Sequence, residues 1–343
     1  MRELARPITN QRMVLTKRPA GMPDASCFAL DEQPVTELEA GEVLVEVDHL
    51  SIDPFIRTSL NERSYHTPVA IGATVTALGV GRIIESRASG LEPGDGVFGP
   101  LGIQTLSRLP GGILKQVDDQ RAPLTAYLGA LGLTSGMTSY FGVREVGAVV
   151  PGDTVVVSGA AGAVGSLAGQ IAGIEGGRVI GIAGGASKVD YVERELGLDA
   201  CIDYKNEDVD ARLRELAPDG VDVYFDNVGG ELLDVLLDQI RERARVVICG
   251  AISQYQNMND VRGPSLYLRL AERHARMEGF AVTHFATQFA EAEEQLASWL
   301  EQGKLILREH IEYGVDRFPV ALRTLFDGGH IGKLLLCPGR AAE

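Results

Sequence analysis

The segment from Asp153 to Ile171 contains the residues whose types and spacing indicate chemistry most clearly. It reads DTVVVSGAAGAVGSLAGQI, which is a run of apolar β-formers, a turn of small residues and an apolar-periodic helix. Ala160, Gly162 and Gly165 follow the spacing of the dinucleotide-binding fingerprint, with alanine in the first glycine position. Small residues there permit a tight turn, close approach of a pyrophosphate and close helix–strand packing. The segment predicts a dinucleotide site; the alternative is a structural turn without a ligand.

The residues after the second predicted strand, RVIGIA at 178–183, indicate which dinucleotide would bind. An NAD site places Asp or Glu at the end of this strand, where the carboxylate accepts from the ribose 2′-OH. This chain has GGAS at 184–187 and then Lys188, so no carboxylate repels a 2′-phosphate and one cation neutralises it. The alternative is a solvated lysine in the first turn of the next helix. We therefore predict NADPH as the cofactor.

The elements that would position these residues fall into two groups along the chain. Residues 1–125 read as β-rich, with clear alternation in EVLVEV at 42–47, and residues 305–343 are expected to return to this domain. Residues 126–304 alternate strands with helices, which is typical of a doubly wound parallel sheet, the α/β Rossmann fold. Its predicted strands are Thr154–Ser158, Val179–Ala183, Ala200–Ile202, Val221–Asp226 and Arg245–Cys249, and its helices include Ser187–Leu196, Gly230–Ile240 and Phe289–Gln302. In the tail, Phe318–Phe326 is predicted as a helix and Lys333–Leu336 as a strand.

The composition of the chain disfavours membrane, secreted and nucleic-acid-binding proteins. A chain of 343 residues with 45% hydrophobic residues can build two domain cores. No apolar run approaches the roughly 20 residues of a membrane span, and the first residues have no signal-peptide pattern. A net charge of −15 disfavours nucleic-acid binding. The cysteines, which suggest neither a zinc site nor disulfides, are Cys27, Cys201, Cys249 and Cys337. We expect a cytoplasmic enzyme that acts on a small molecule, without nucleic-acid or membrane partners.

Several further motifs carry a family resemblance. They are SIDPFIR (51–57), YFDNVGGE (224–231), CGAISQY (249–255), ARMEGF (275–280) and IGKLLL (331–336). With the fingerprint, they resemble the medium-chain dehydrogenase/reductase superfamily, and within it the zinc-independent leukotriene/prostaglandin reductase and alkenal double-bond reductase group, which includes curcumin reductases. The resemblance spans nearly the whole chain. It implies a GroES-like catalytic domain beside the Rossmann domain, and a homodimer that pairs through the last Rossmann strand, with the segment around Phe280–Phe285 as the expected edge.

The resemblance also implies the reaction. Zinc-containing members carry Cys where SIDPFIR stands and Gly-His-Glu near Gly72, whereas this chain has IGAT at 71–74. Without a Lewis acid, alkoxide charge in alcohol oxidation is poorly stabilised. Reduction of an enone or enal C=C bond by hydride transfer to the β-carbon needs only donors for the enolate oxygen. We expect an NADPH-dependent double-bond reductase of this kind. The alternatives are an NADPH quinone reductase and a non-catalytic, crystallin-like NADPH-binding protein.

Site residues are assigned from the matching motif positions. The pyrophosphate contacts are Gly162, Ala163 and Val164; the 2′-phosphate contacts are Lys188 and Tyr204; the residues expected along the rest of the cofactor are Thr138, Asn227, Cys249, Ala251, Ile252, Ser253, Phe280, Val282 and Gly332. Tyr255 is the expected catalytic and substrate-binding hydrogen-bond donor, and Arg57 is expected near the substrate entrance. The alternatives are a structural tyrosine and a solvated or ion-paired arginine.

The chain departs from the family pattern at three places. His330 stands where the family has a cofactor-facing asparagine, and it is either a cofactor contact or a surface residue. Ala73 replaces a glutamate beside the substrate pocket, which puts substrate specificity in doubt. The proline that usually precedes LTSGMTSY (133–140) is missing.

Overall fold

The computed structural model describes residues 8–62, 66–257 and 260–339. They form two compact units. The first unit contains the chain up to Leu128, residues 310–329 and the C-terminal residues from Leu334; the second contains 129–309 and 330–333. The short segment 330–333 therefore belongs to the second unit, although the sequence suggested that the whole tail returns to the first.

The strands and helices follow in chain order. The strands are β1 (Thr9–Leu15), β2 (Phe28–Pro34), β3 (Glu42–Ser51), β4 (Gly79–Ser86), β5 (Gly96–Gly99), β6 (Leu106–Pro110), β7 (Lys115–Gln116), β8 (Thr154–Ser158), β9 (Arg178–Ala183), β10 (Ala200–Asp203), β11 (Val221–Asp226), β12 (Ile240–Ile248), β13 (Arg276–Gly279), β14 (Glu309–Tyr313) and β15 (Lys333–Cys337). The helices are α1 (Pro54–Ser59), α2 (Thr138–Phe141), α3 (Ala163–Ile174), α4 (Ala186–Asp190), α5 (Val209–Leu216), α6 (Gly230–Asp238), α7 (Leu268–Glu272), α8 (Phe289–Glu301) and α9 (Phe318–Asp327). Turns of π-helix extend α2 on both sides and lengthen α4.

The first unit is built on antiparallel β-structure. Its main sheet has the order β14–β15–β3–β4–β5–β7, with β6 also paired to β3, and β1 and β2 form a separate pair. Leu335 of β15 pairs with Ser51 of β3, so the predicted return of the C-terminal strand to this domain is confirmed. Apolar side chains of the strands and of α9 form its core.

The second unit is a six-stranded parallel sheet in the order β10–β9–β8–β11–β12–β13. This is the doubly wound arrangement that the sequence predicted. Val155, Val156 and Val157 of the central strand are at most 1% exposed, because helices cover both faces of such a sheet and its strands become continuous apolar runs. The strand order reverses between β8 and β11, and ligands of doubly wound folds bind beside that point, at the carboxyl ends of the strands.

One strand begins earlier than the sequence indicates. β12 starts at Ile240, which pairs with Val221, whereas the alternation predicts a start at Arg245. The pairing shifts between Val221 and Val223, and Arg243 has a positive φ of 64°. Such a bulge breaks the period-two pattern on which strand prediction depends, and a run of charged residues masks it further.

No helix in the described part of the chain is long and apolar enough to cross a membrane.

Close backbone contact explains the small residues between β8 and α3. A Cβ atom at Gly165 would lie 2.2 Å from the carbonyl oxygen of Gly159, so only glycine lets the helix start so close to the turn. Ala160 is fully buried in the first position of the fingerprint. Its methyl group fits because Gly181 faces it on β9, where an added Cβ would lie 2.9 Å from that of Ala160.

We predict that Gly165→Ala lowers the melting temperature of the protein. The added methyl group overpacks a backbone contact, and overpacking typically costs about 1–3 kcal/mol. Gly173→Ala is the matched control in the same helix, since no atom lies within 4 Å of its added Cβ. It should raise stability by about 0.4–1 kcal/mol. Thermal unfolding followed by circular dichroism measures both; equal melting temperatures for the two variants would contradict the steric argument.

Candidate dinucleotide-binding site

The second unit brings most of the predicted cofactor residues to the carboxyl edge of its sheet. They lie after β8 (Gly162, Ala163, Val164), after β9 (Lys188), after β10 (Tyr204), after β11 (Asn227), after β12 (Cys249, Ala251, Ile252, Ser253, Tyr255) and after β13 (Phe280, Val282). Six parallel strands end at the same edge, so residues from distant parts of the sequence share one border. This is the edge where a doubly wound sheet binds its ligand.

The turn after β8 is suited to an anion. Gly162 is the N-cap of α3 and has no side chain with which to cap the helix. The N–H groups of the first turn, those of Ala163 and Val164 among them, are therefore left for a ligand, at the positive end of the helix dipole. A Cβ added to Gly162 would have one protein atom within 4 Å, the Gly159 oxygen at 3.3 Å. The space beside this residue is therefore open for a ligand to approach the backbone.

Residues 330–333 brace this turn. The Gly332 N–H donates to the carbonyl oxygen of Ala161 at 2.8 Å, and Gly332 forms a parallel bridge with Gly162. Gly332 has a φ of 75°, and an added Cβ would lie 2.0 Å from the Arg308 oxygen, so glycine is required there. His330 is 9% exposed, and its interpretation as a surface residue is therefore wrong. The predicted cofactor contact of Gly332 stays a prediction.

Lys188 lies in α4, which follows β9, and Tyr204 lies in the loop after the neighbouring strand β10. A Cβ added to Gly184 at the end of β9 would lie 2.6 Å from the Tyr204 ring, so the place of an NAD-binding carboxylate is already covered by this ring. Asp203 accepts from the backbone N–H of Gly185 at 2.7 Å and from that of Lys205 at 3.1 Å, and these hydrogen bonds join the two loops. They also lower the pKa of Asp203, the Gly185 bond most strongly.

A buried carboxyl group organises the loop after β11. Oδ1 of Asp226 accepts from the Tyr224 hydroxyl at 2.7 Å, from the Ser158 hydroxyl at 3.1 Å and from the N–H groups of Val228 and Gly229, both at 2.9 Å. Asp226 is 1% exposed, and burial raises its pKa because desolvation disfavours the charged form. Sequence reasoning missed Asp226 as a functional residue, although it lies within the motif YFDNVGGE.

The same network fixes Asn227, one of the predicted cofactor residues. Its backbone N–H donates to the Ser158 hydroxyl at 2.9 Å, and its side-chain amide donates to the Ser158 carbonyl at 2.7 Å. The Asp226 carbonyl oxygen accepts from the N–H groups of Cys249 and Gly250, at 2.9 and 3.1 Å. The loops after β8, β11 and β12 are thus hydrogen-bonded together. Ser158 was also missed by sequence reasoning, and only its place at the end of β8 could have indicated it.

The loop after β12 contains the predicted catalytic tyrosine. The Tyr255 hydroxyl oxygen accepts from the Ala251 N–H at 3.1 Å, so its own proton points away from Ala251. Burial, with a further contribution from the Asp226 charge, raises the pKa of the Cys249 thiol to about 12. Cys249 is therefore a neutral thiol at physiological pH and not a reactive thiolate.

Aromatic residues pack behind the end of β13. The rings of Phe285 and Phe141 stack at 4.7 Å, and Phe280 lies edge-on to Phe285 at 6.3 Å. The prediction that the segment Phe280–Phe285 forms the sheet edge is wrong, because its rings pack within the second unit and the edge strand is β13. The Thr138 hydroxyl donates to the Leu133 carbonyl at 2.9 Å. The cofactor roles of Phe280, Val282 and Thr138 stay predictions.

Arg57 belongs to the first unit, at the end of α1. It is 2% exposed, and its guanidinium donates to the Asn61 side chain at 2.9 Å and to the Gly21 carbonyl at 2.7 Å. Burial lowers its pKa. These contacts are those of an arginine that holds a loop, and its predicted substrate role is not tested by them.

Comparison with known proteins finds relatives along nearly the whole chain. The family model described as the N-terminal domain of oxidoreductase matches residues 11–117, and that described as zinc-binding dehydrogenase matches residues 163–300. A putative NADP-dependent oxidoreductase of Bacillus subtilis, YfmJ, is 42% identical over 332 residues, 96% of this chain and 97% of the relative. The NADP-dependent 2-alkenal reductase of Nicotiana tabacum is 35% identical over 98% of this chain and 100% of the relative. The crystal structure of CurA from Vibrio vulnificus in complex with NADPH matches with a TM-score of 0.91 at 34% identity, over 96% of this chain and 99% of that one.

The second family model is described as zinc-binding, but the described residues of this chain show no matching ligand set. Within residues 8–62, 66–257 and 260–339, no group of three or more His, Cys, Asp or Glu side chains is placed to hold a metal ion. The described part of this chain thus lacks the ligand set that a zinc site needs.

Proposed function

This chain belongs to the medium-chain dehydrogenase/reductase superfamily, in its group of prostaglandin, alkenal and curcumin reductases, and we propose that it reduces the C=C bond of α,β-unsaturated ketones or aldehydes with NADPH. It is an NADP-dependent oxidoreductase. The proposal is supported by relatives named as a 2-alkenal reductase and an NADPH-dependent curcumin reductase, because 2-alkenals and curcumin both contain a C=C bond conjugated to a carbonyl group.

The residues at the sheet edge fit NADPH. The first turn of α3 offers N–H groups to the pyrophosphate, and Gly162 leaves its outer side open for close approach. Lys188 and the Tyr204 hydroxyl are suited to the 2′-phosphate, and Asn227 to the nicotinamide ribose. When bound, NADPH supplies the hydride that adds to the β-carbon of the substrate.

Tyr255 is our candidate for stabilising the negative charge that collects on the substrate carbonyl oxygen. It follows β12 at the carboxyl edge of the sheet, and the Ala251 N–H fixes its hydroxyl oxygen from one side. We propose that the hydroxyl held there donates to the carbonyl oxygen of a bound substrate. A fixed donor stabilises an enolate without reorganising during the reaction.

A combination of three features carries the proposal. A turn suited to a dinucleotide and a fixed tyrosine hydroxyl lie at one sheet edge, while the described residues contain no metal-ligand cluster. This combination suits reduction of a conjugated C=C bond better than oxidation of an alcohol, which relies on a Lewis acid in the zinc-containing members of the superfamily.

An acceptor panel tests the proposal. We expect NADPH oxidation with a 2-alkenal or an enone to exceed that with a quinone, and to survive dialysis against a strong chelator. NADPH without an acceptor is the control and should be stable. Turnover of the quinone alone would favour a quinone reductase, and NADPH binding without turnover of any acceptor would favour a non-catalytic binding protein.

We expect Tyr255→Phe to lower kcat on an enone by about tenfold while leaving NADPH affinity nearly unchanged, since the hydroxyl acts on charge that forms in the transition state. Tyr267→Phe is the matched control, because Tyr267 is 57% exposed in the same unit. Single-turnover hydride transfer should slow in the same proportion as kcat. A wild-type rate in Tyr255→Phe with normal NADPH binding would show that this tyrosine only lines the site.

We also propose that the protein is a homodimer formed through β13. This strand pairs with β12 on one side, lies at the end of the sheet and has four exposed residues. Pairing two such strands across a twofold axis would hide both edges. A cytoplasmic location is a further proposal, supported by the cysteines, all of which are free thiols.

Light scattering at micromolar concentration should give the mass of a dimer. Met277 lies on β13 and is 37% exposed, so Met277→Lys should shift the mass toward the monomer. Val150→Lys adds the same charge at a residue of the second unit that is 52% exposed, and it should leave the dimer intact. A monomeric wild-type protein would refute the proposal.

A further inference from the structure

Two lysines, Lys188 and Lys205, follow neighbouring strands at the carboxyl edge of the sheet. Lys188 is partly buried, whereas Lys205 is exposed and its charge contributes to the lowered pKa of the Asp203 carboxyl. Burial and the positive charge of Lys205 both lower the pKa of Lys188, burial more strongly.

The Lys205 stem packs at the end of β9, just before α4, the helix that contains Lys188. A Cβ added to Gly184 would lie 2.6 Å from the Tyr204 ring and 3.0 Å from Cε of Lys205, so both side chains cross the end of β9. The Asp203 carboxylate accepts from the N–H groups of Gly185 and Lys205, which fixes the loop after β9 to the loop after β10. The stem of Lys205 thus lies against Gly184, four residues before Lys188 in the chain.

We propose that Lys205 is a second specificity-determining residue, which shares with Lys188 the binding of the cofactor 2′-phosphate. The inference rests on the proposed use of NADPH and adds a residue to it. Two like charges held together repel each other, and a dianionic phosphate between them would relieve that repulsion. Charge-assisted hydrogen bonds from two ammonium groups to one phosphate are also stronger than neutral ones. Lys205 would then contribute to the preference for NADPH over NADH, and not to binding of the shared part of the two cofactors.

The test is direct binding by calorimetry to the full-length protein. The probes are NADP⁺ and NAD⁺, with 2′-AMP and 5′-AMP as fragments that differ in the position of the phosphate. We expect Lys205→Ala to weaken NADP⁺ and 2′-AMP binding by about tenfold and to change NAD⁺ binding less than twofold. Lys188→Ala should keep part of the preference for NADP⁺, and the double variant should lose it.

Two further variants serve as controls. Lys304→Ala removes the same charge from an exposed lysine of the same unit and should bind like the wild type. Lys205→Arg keeps the charge and should retain most of the NADP⁺ affinity. Lys205→Ala binding like Lys304→Ala, or an equal loss for NADP⁺ and NAD⁺, would overturn the proposal. Enone reduction by the wild type is a separate measurement, so failure of the lysine assignment is distinguishable from failure of the proposed function.

Discussion

The close contact between Gly165 and Gly159 is the constraint on which the site depends. It lets α3 begin directly above the end of β8, with its first-turn N–H groups at the sheet edge. Any larger side chain at Gly165 would push the helix outward and move those groups with it. The buried methyl group of Ala160 is accommodated by the missing side chain of Gly181 on the next strand. The fingerprint therefore depends on side-chain packing between β8 and β9, and not only on the residues of one turn.

Two aspartates organise the loops on either side of β8. Asp203 joins the loops after β9 and β10 through backbone N–H groups, and the carboxyl group of Asp226 fixes the loop after β11. Ser158, at the end of β8, joins Asp226 to Asn227. Each carboxyl group uses its hydrogen bonds to position backbone, and neither is placed as a general base. Side chains that are expected to contact the cofactor are thus carried by loops whose conformations are fixed elsewhere.

For binding of an anionic cofactor, the charge close to the site matters more than the net charge of the chain. A net charge of −15 disfavours approach of an anionic dinucleotide, but surface charges are largely screened beyond a Debye length of about 8 Å at physiological ionic strength. Lys188 is partly buried at the sheet edge, so its charge is screened less than that of a fully exposed lysine. An acidic protein can therefore bind a phosphorylated cofactor when it places cations at the binding edge.

The sequence by itself determined the alternation of strands and helices in the second unit, with five of its six strands, the dinucleotide fingerprint and the absence of an acidic residue after β9. These are local properties, because strand and helix periodicity and turn composition are written in consecutive residues. The family resemblance added roles for single positions such as Tyr204 and Tyr255. Only the tertiary structure decided that the Lys205 stem lies against Gly184 at the end of β9, that residues 330–333 brace the turn after β8, and that β13 is the edge strand. It also decided that Arg57 is buried. Each of these depends on contacts between distant segments or on a bulge or loop that breaks the local period, and no pattern of neighbouring residues records such contacts.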